Sequence, residues 1–242
     1  MKPQNILIFG ASGQVGKNLL RLLTKNNYKC TVVTRSLHKK GLMLKTQGSA
    51  GWIECVEANI FDEKKLRDLM SKADICINLI GILFEKGNIN TFSNIHAKFP
   101  YLISKLAKEY SLKQFIQLSA LAIDESKDTK YSKSKIEGEI NIKKNFPNAT
   151  ILRPSLVFSS DDNSSTQFLT LLNRLPFFPL FGNPNFMPIY VADLTRIIYE
   201  VIIKKIKSTT IECIGPEKIS FKEILQRLLK LMDKKRFLIP LP

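Results

Sequence analysis

The residues best suited to chemistry are Tyr131 and Lys135, four positions apart and therefore on one face if their segment is helical. A phenol titrates near about pH 10 in water and is a poor base at neutral pH. A neighbouring ammonium favours the phenolate and suits the pair to proton transfer at a carbonyl or alcohol. Ser119, twelve positions before Tyr131, ends the apolar run at 114–118 and is placed to hydrogen-bond the same substrate oxygen. Tyr101 and Lys105 have the same spacing, so spacing alone selects nothing in a lysine-rich chain. Context does. Tyr131 opens the helix after a strand that ends in serine, whereas Tyr101 falls within the helix before that strand.

A second constellation lies at the start of the chain, in Ile6-Leu7-Ile8-Phe9-Gly10-Ala11-Ser12-Gly13-Gln14-Val15-Gly16. An apolar run, three glycines spaced three apart and a helical pattern from Val15 onward read as strand, tight turn and helix, the context of a dinucleotide-binding loop. Gly10 permits the turn, Gly13 the approach of a pyrophosphate, and Gly16 close packing of helix on sheet. Ser12, Gln14 and Val15 bring backbone N–H groups and the positive end of the helix dipole toward the phosphates. No GK[ST] follows, which argues against a mononucleotide loop. The next strand, 29–34, ends in Arg35 rather than in an acidic residue. An acid there takes the ribose hydroxyls of NAD and an arginine the 2′-phosphate of NADP, so Arg35 favours NADP(H) over NAD(H). Arg21, His38, Lys39 and Lys40 are further cations whose place the sequence does not assign. Gly81, at the end of the strand at 73–81, leaves room for a cofactor to pass.

Strand and helix periods alternate, which predicts an α/β doubly wound parallel sheet. Strands are expected at 4–9, 29–34, 52–57, 73–81, 114–118 and 149–153, with helices at 14–26, 63–71, 91–110 and from Tyr131 to about 146. Residues 36–51 are ambiguous because Gly41, Gly48 and Gly51 weaken a helix. Asp62 is an expected N-cap, and Pro100 implies a kink or break. Residues 1–154 form the expected Rossmann domain and 155–242 a smaller α/β substrate or partner region packed on it. There, Asp161 and Asp162 read as a solvated turn, and the apolar stretch 168–181 as core in preference to a substrate lid or a partner-docking patch. A short strand is expected at 187–194, another at 209–214, and a helix at 221–232 opened by the capping box Ser220-Phe221-Lys222-Glu223.

The formal net charge is +16, with lysines scattered over expected helix surfaces and no arginine-rich or aromatic-interleaved stripe, so nucleic acid is not the expected partner. Cys30, Cys55, Cys76 and Cys213 lie apart in apolar stretches, as reduced core residues of a cytosolic protein do. With only His38 and His96, no metal is expected. A first strand from about residue 4 leaves no length for a leader, and no apolar run is long enough to span a membrane.

These residues resemble the extended and atypical short-chain dehydrogenase/reductases, from about residue 4 to 232. The resemblance is carried by the glycine loop, Ser119, Tyr131 and Lys135 with Gly138-Glu139, Leu152-Arg153-Pro154, Pro188-Ile189-Tyr190-Val191 with Asp193, and Gly215-Pro216-Glu217. The run Ile77-Asn78-Leu79-Ile80-Gly81-Ile82-Leu83 and the close spacing of Ser119 and Tyr131 are most similar to one branch, that of the nucleotide-binding accessory subunit of respiratory complex I and its bacterial relatives. So is Ser134-Lys135-Ile136-Glu137-Gly138-Glu139. The resemblance implies NADP(H) held by Gly10, Gly13, Gly16 and Arg35, with Asn59 and Ile60 near the adenine and Lys135 on the nicotinamide ribose. In that branch the nucleotide is structural. Phe9 stands where many relatives carry threonine and Asn59 where many carry aspartate, and relatives of this branch usually continue beyond Pro242. The implied function is an accessory or assembly role with respiratory NADH dehydrogenase subunits, cytoplasmic and peripheral on the inner face of the respiratory membrane, whose anionic surface suits a basic chain. The alternative is an active NAD(P)-dependent reductase or epimerase using Ser119, Tyr131 and Lys135.

Overall fold

The computed structural model describes residues 4–159 and 177–241. Asp161 and Asp162, and most of the apolar stretch 168–181, lie outside the described residues. Two compact units emerge, one of Met1–Pro154 with Ala192–Cys213, the other of Ser155–Val191 with Ile214–Pro242.

The first unit is built on β1 (Asn5–Phe9), β2 (Lys29–Thr34), β3 (Ile53–Glu57), β4 (Ile75–Asn78), β5 (Gln114–Leu118), β6 (Thr150–Pro154) and β11 (Thr209–Cys213). They form one sheet in the order β11-β6-β5-β4-β1-β2-β3, parallel throughout, which is the expected doubly wound architecture. The first six strands follow the six expected ones closely. The seventh comes from beyond residue 154, so the chain returns to the first unit after part of the second has been built. β1 and β4 are neighbours although distant in sequence, and the order of winding reverses there. Open α/β sheets bind ligands in the crevice at such a point, beyond the carboxyl ends of the strands.

Helices α1 (Gln14–Lys25), α2 (Leu37–Lys45), α3 (Glu63–Met70), α4 (Phe99–Glu109), α5 (Lys130–Asn145) and α6 (Val191–Ile203) accompany the sheet. The ambiguous stretch 36–51 contains α2, because Glu57 supplies what the local sequence lacks. Its carboxylate accepts from the Leu37 N–H at the helix start (2.6 Å). Asp62 caps α3 through the Lys65 N–H (3.1 Å), and Thr129 caps α5 through the Ser132 N–H (3.1 Å). Val191 to Leu194, expected as strand, form the first turn of α6 instead; only Ile189 and Tyr190 are extended.

The long helix expected before β5 is two structures. Ser93–Lys98 is a π-helical turn that runs into α4 at Phe99. Pro100 explains the break. It has no N–H to donate, and its ring cannot sit over the carbonyl four residues earlier, that of His96, so the turn before it widens. The freed His96 carbonyl faces α5, where a Cβ on Gly138 would stand 1.9 Å from its oxygen. Only glycine lets the two helices meet there.

One face of the sheet is filled by a cluster that includes Leu7, Phe9, Phe99, Phe115 and Ile142. Phe9 is fully buried and meets Phe99 edge-on at 5.1 Å between ring centroids. Cys30, Cys76 and Cys213 are buried, Cys55 half-buried, and all four are free thiols. In the second unit, β7 (Val157–Phe158) pairs with β10 (Ile189–Tyr190), β8 (Phe177–Phe181) with β13 (Phe237–Leu241), and β9 (Asn185–Phe186) with β12 (Ile219–Ser220). Phe178 and Leu180 pack with Leu225 and Leu229 of α7 (Phe221–Leu231), whose N-cap Ser220 accepts from the Glu223 N–H (3.2 Å). No helix among the described residues is long and apolar enough to cross a membrane.

Gly16 tests the packing of α1 on the turn below it. A Cβ there would lie 2.4 Å from the Ala11 Cα. Alanine is the better helix former by about 1 kcal/mol, but overpacking against backbone costs about 1–3 kcal/mol. Gly16→Ala is therefore expected to lower the urea midpoint; a midpoint at or above that of the wild type would show that the contact is not limiting.

Candidate functional site

At the carboxyl ends of β1, β2 and β4 the first unit has a groove of about 340 Å³. Gly10 forms its floor. With φ +81° it turns the chain out of β1, and a Cβ would stand 2.9 Å from the Leu79 carbonyl carbon at the end of β4. Gly13 closes the turn by donating its N–H to the Gly10 carbonyl (3.1 Å) and is the N-cap of α1. Its extended backbone offers no side chain to the helix N–H groups, and no acidic residue stands in the first turn, so the positive end of the dipole is left for an anion.

One flank of the groove is cationic. Arg35 and Lys40 both line it. An Arg35 guanidinium N–H donates to Asn90 Oδ1 (3.1 Å), and Lys40 Nζ donates to Ser12 Oγ (3.1 Å) across the glycine turn. The sequence identified the first cation by its place after β2. The second needed α2, because one helical turn from Leu37 carries Lys40 back toward the glycine loop. Arg21 bonds instead to Gln47 (2.7 Å), and His38 and Lys39 are exposed.

Of the other expected cofactor contacts, Ser12, Ile60 and Gly81 line the groove with Gly10, Gly13 and Arg35. Asn59 does not. It is exposed, and its Oδ1 accepts from the Phe61 N–H (3.0 Å) in a turn before α3; the neighbouring Ala58 and Ile60 line the groove instead. Gln14, Val15 and Gly16 lie in the first turn of α1 behind the lining.

Beyond Gly81 lie the side chains with chemistry. Lys135 is 7% exposed, and its Nζ lies 3.3 Å from where a Cβ on Gly81 would be. Among the described residues it makes no hydrogen bond; it stands 5.9 Å from the centroid of the Tyr131 ring. Burial pulls the ammonium down to about 8, partly offset by Glu139. Burial also raises the Tyr131 phenol above its usual value. Desolvation thus works against the phenolate that the Tyr131–Lys135 pair is expected to favour. Ser119, at the end of β5, donates its N–H to the Leu152 carbonyl (2.7 Å), while its Oγ is buried and, among the described residues, lacks a hydrogen-bond partner. A buried hydroxyl without a partner costs about 1–3 kcal/mol, and such groups are rare outside functional sites.

Two features carried no chemical signal in the sequence. Glu139, one turn beyond Lys135, is buried and paired bidentately with Arg153 (3.0 and 2.8 Å), which also reaches Asp124 (2.6 Å). His96 is 2% exposed and joins the end of β4 to α5: its Nε2 accepts from the Ile82 N–H (3.1 Å), and its Nδ1 lies 3.0 Å from Ser134 Oγ. Only the Pro100 break could have hinted at the latter.

Lys135 costs stability where it sits. Its folded value, about 8, lies below the usual 10.5, so the unfolded chain holds the proton more tightly and stability rises as pH climbs from about 8 to 10.5. Lys135→Met is expected to stabilise the protein at pH 7 by on the order of 1–2 kcal/mol, with the gain shrinking across that window. Urea denaturation at pH 7 and 10 checks this, and a destabilised variant at pH 7 would contradict it.

The chain matches the NAD dependent epimerase/dehydratase family over residues 6–204. It is similar to the mitochondrial NADH dehydrogenase (ubiquinone) 1 alpha subcomplex subunit 9 of Arabidopsis thaliana, 28% identical over 194 residues, which cover 79% of this chain and 48% of that protein. It is also similar to the mitochondrial NADH-ubiquinone oxidoreductase 40 kDa subunit of Neurospora crassa, 25% identical over 238 residues, covering 97% and 62%. The chain thus spans about half the length of the first relative and 62% of the second. Its fold is like that of UDP-glucuronic acid 4-epimerase from Bacillus cereus, solved with UDP-glucuronic acid and NAD (TM-score 0.81, 20% identity, 98% of this chain and 86% of that one). With its family match extending over most of the sequence, the protein belongs to the NAD dependent epimerase/dehydratase family.

Proposed function

We propose that this protein binds NADP(H) in the groove at the β1–β4 junction and serves as an accessory or assembly component of a respiratory NADH dehydrogenase. The observation that carries the cofactor reading is the paired cation flank, Arg35 held by Asn90 and Lys40 held by Ser12, with no carboxylate at the end of β2. A 2′-phosphate beside these cations pairs a charged acceptor with charged donors, which gains more than the same donors gain from a neutral ribose hydroxyl. The residues fit a dinucleotide: Gly10 packs the turn directly against the Leu79 backbone, and the start of α1, with no side-chain cap, suits a pyrophosphate. When bound, the cofactor supplies hydride chemistry.

The respiratory role is supported by the two mitochondrial NADH dehydrogenase subunits to which the chain is similar. The chain is then cytoplasmic and peripheral on the inner face of the respiratory membrane, held there by protein subunits and by its net charge of +16. Recovery of respiratory subunits with the protein from native cells is the expected result, and their absence would remove this role.

The second reading is an active reductase or epimerase, favoured by the unpartnered Ser119 Oγ and the buried Lys135. In it, Ser119 donates a hydrogen bond to a substrate carbonyl oxygen, Tyr131 delivers a proton to that oxygen, and Lys135 stabilises the negative charge left on the phenol. Tyr131→Phe is expected to abolish any turnover found; an unchanged rate would discard the mechanism.

The cofactor reading is tested by thermal shift with NADPH and NADH. A ligand that binds only the folded state adds roughly 2.7 kcal/mol at a hundredfold excess over its dissociation constant. NADPH is expected to shift the midpoint more than NADH, and Arg35→Ala and Lys40→Ala each to erase most of the difference. Equal shifts with both nucleotides would refute the assignment of the 2′-phosphate site.

A further inference from the structure

His96 occupies an unusual position. The π-helical turn places its carbonyl against Gly138 of α5 and its side chain between α5 and the end of β4. The hydrogen bonds define its state. Nε2 accepts the Ile82 N–H, so in the neutral ring the proton is on Nδ1, which donates to Ser134 Oγ. Ser134 in turn donates to the Tyr131 carbonyl (2.7 Å). Burial, reinforced by the charge of Lys135, pulls the imidazolium down to about 3, so this arrangement holds at neutral pH.

The ring is also fixed by its neighbours. It stacks on Phe92 at 5.5 Å and 20° and meets the Tyr131 ring edge-on at 5.3 Å and 86°. Its Nε2 lies 3.8 Å from the point where a Cβ on Gly81 would stand, and Lys135 Nζ lies 3.3 Å from the same point. Gly81 and Ile82 both line the groove. One imidazole thus joins groove-lining Ile82 to the helix that carries Tyr131 and Lys135, and stands beside the neighbouring Gly81.

We propose that His96 is a positioning residue of the dinucleotide site, clamping Gly81 and Ile82 at a set distance from Tyr131 and Lys135 and so shaping the end of the groove that receives the nicotinamide half. This rests on the reading of the groove as a dinucleotide site with Lys135 at its nicotinamide end. The opposite end is built on the glycine turn with Ser12, on Arg35 after β2 and on Lys40 of α2, and it shares with the clamp only Asn90, the Arg35 acceptor in the 82–92 loop. Loss of His96 therefore weakens the nicotinamide half selectively.

The test compares two ligands by calorimetry: NADPH, and 2′,5′-ADP, which keeps the adenosine 2′-phosphate and lacks the nicotinamide. His96→Phe retains an aromatic ring beside Phe92 and loses both hydrogen bonds. It is expected to weaken NADPH about tenfold and to leave 2′,5′-ADP unchanged. His96→Gln restores an acceptor for the Ile82 N–H and is expected to recover most of the loss. Should His96→Phe fail to fold, Ser134→Ala removes the partner of Nδ1, together with the Ser134 bond to the Tyr131 carbonyl, and is expected to weaken NADPH about threefold, again without effect on 2′,5′-ADP. Equal weakening of both ligands, or no weakening of NADPH, would overturn the positioning role. A wild-type protein that binds neither ligand would instead overturn the dinucleotide reading, and this inference with it.

Discussion

The site depends on a contact made without a side chain. Gly138 lets α5 lie directly against the carbonyl of His96, closer than any Cβ would permit. That carbonyl is exposed to α5 because Pro100, four residues on, cannot take it as a helical acceptor. The same widened turn directs the His96 imidazole to Ser134 and Ile82. Since Tyr131 and Lys135 lie on α5, their distance from the sheet is set where the two helices touch. A proline and a glycine thirty-eight positions apart thereby position the residues with chemistry.

The two ends of the groove obey different electrostatics. At the Arg35 end the cations are at or near the surface and are steered by neutral oxygens of Asn90 and Ser12, which leaves their charge available to an anion. At the Lys135 end the cation is buried, and its nearest strong anion, Glu139, is already held by Arg153. The ammonium is thus largely desolvated, with Glu139 offsetting the cost only in part. Ser119 is likewise buried without a hydrogen-bond partner among the described residues. Both sacrifice stability, and natural proteins retain such sacrifices where a ligand or a reaction needs the group. An accessory protein that only holds its nucleotide and an enzyme that turns over share this arrangement. Fold and family do not separate them, because function resides in how the site is used.

Much of the first unit was legible because its signals are local. Apolar runs of four to six residues gave the strands of the sheet, Asp62 was readable as a cap, as was Ser220 in the second unit, and the glycine spacing with Arg35 located the groove. Elsewhere the outcome was set by contacts that the local pattern does not show. α2 starts on a carboxylate from the end of β3, the groove is lined by Ala58 and Ile60 because Asn59 turns away to cap its own loop, and residues 191–194 join a helix despite their strand-like composition.

The sequence by itself determined the strand–turn–helix opening, the alternation that makes a parallel sheet, the lack of a carboxylate after β2, and the helix on which Tyr131 and Lys135 share a face. Each follows from steric or periodic rules that act within a few residues. Tertiary structure alone decided that Lys40 joins Arg35, that β11 completes the sheet after the first part of the second unit, that burial pulls the Lys135 ammonium down and pushes the Tyr131 phenol up, and that His96 ties the chain after β4 to α5. Those outcomes depend on burial and on partners tens of residues away. Neither is set by local sequence, because desolvation and hydrogen bonding act through space.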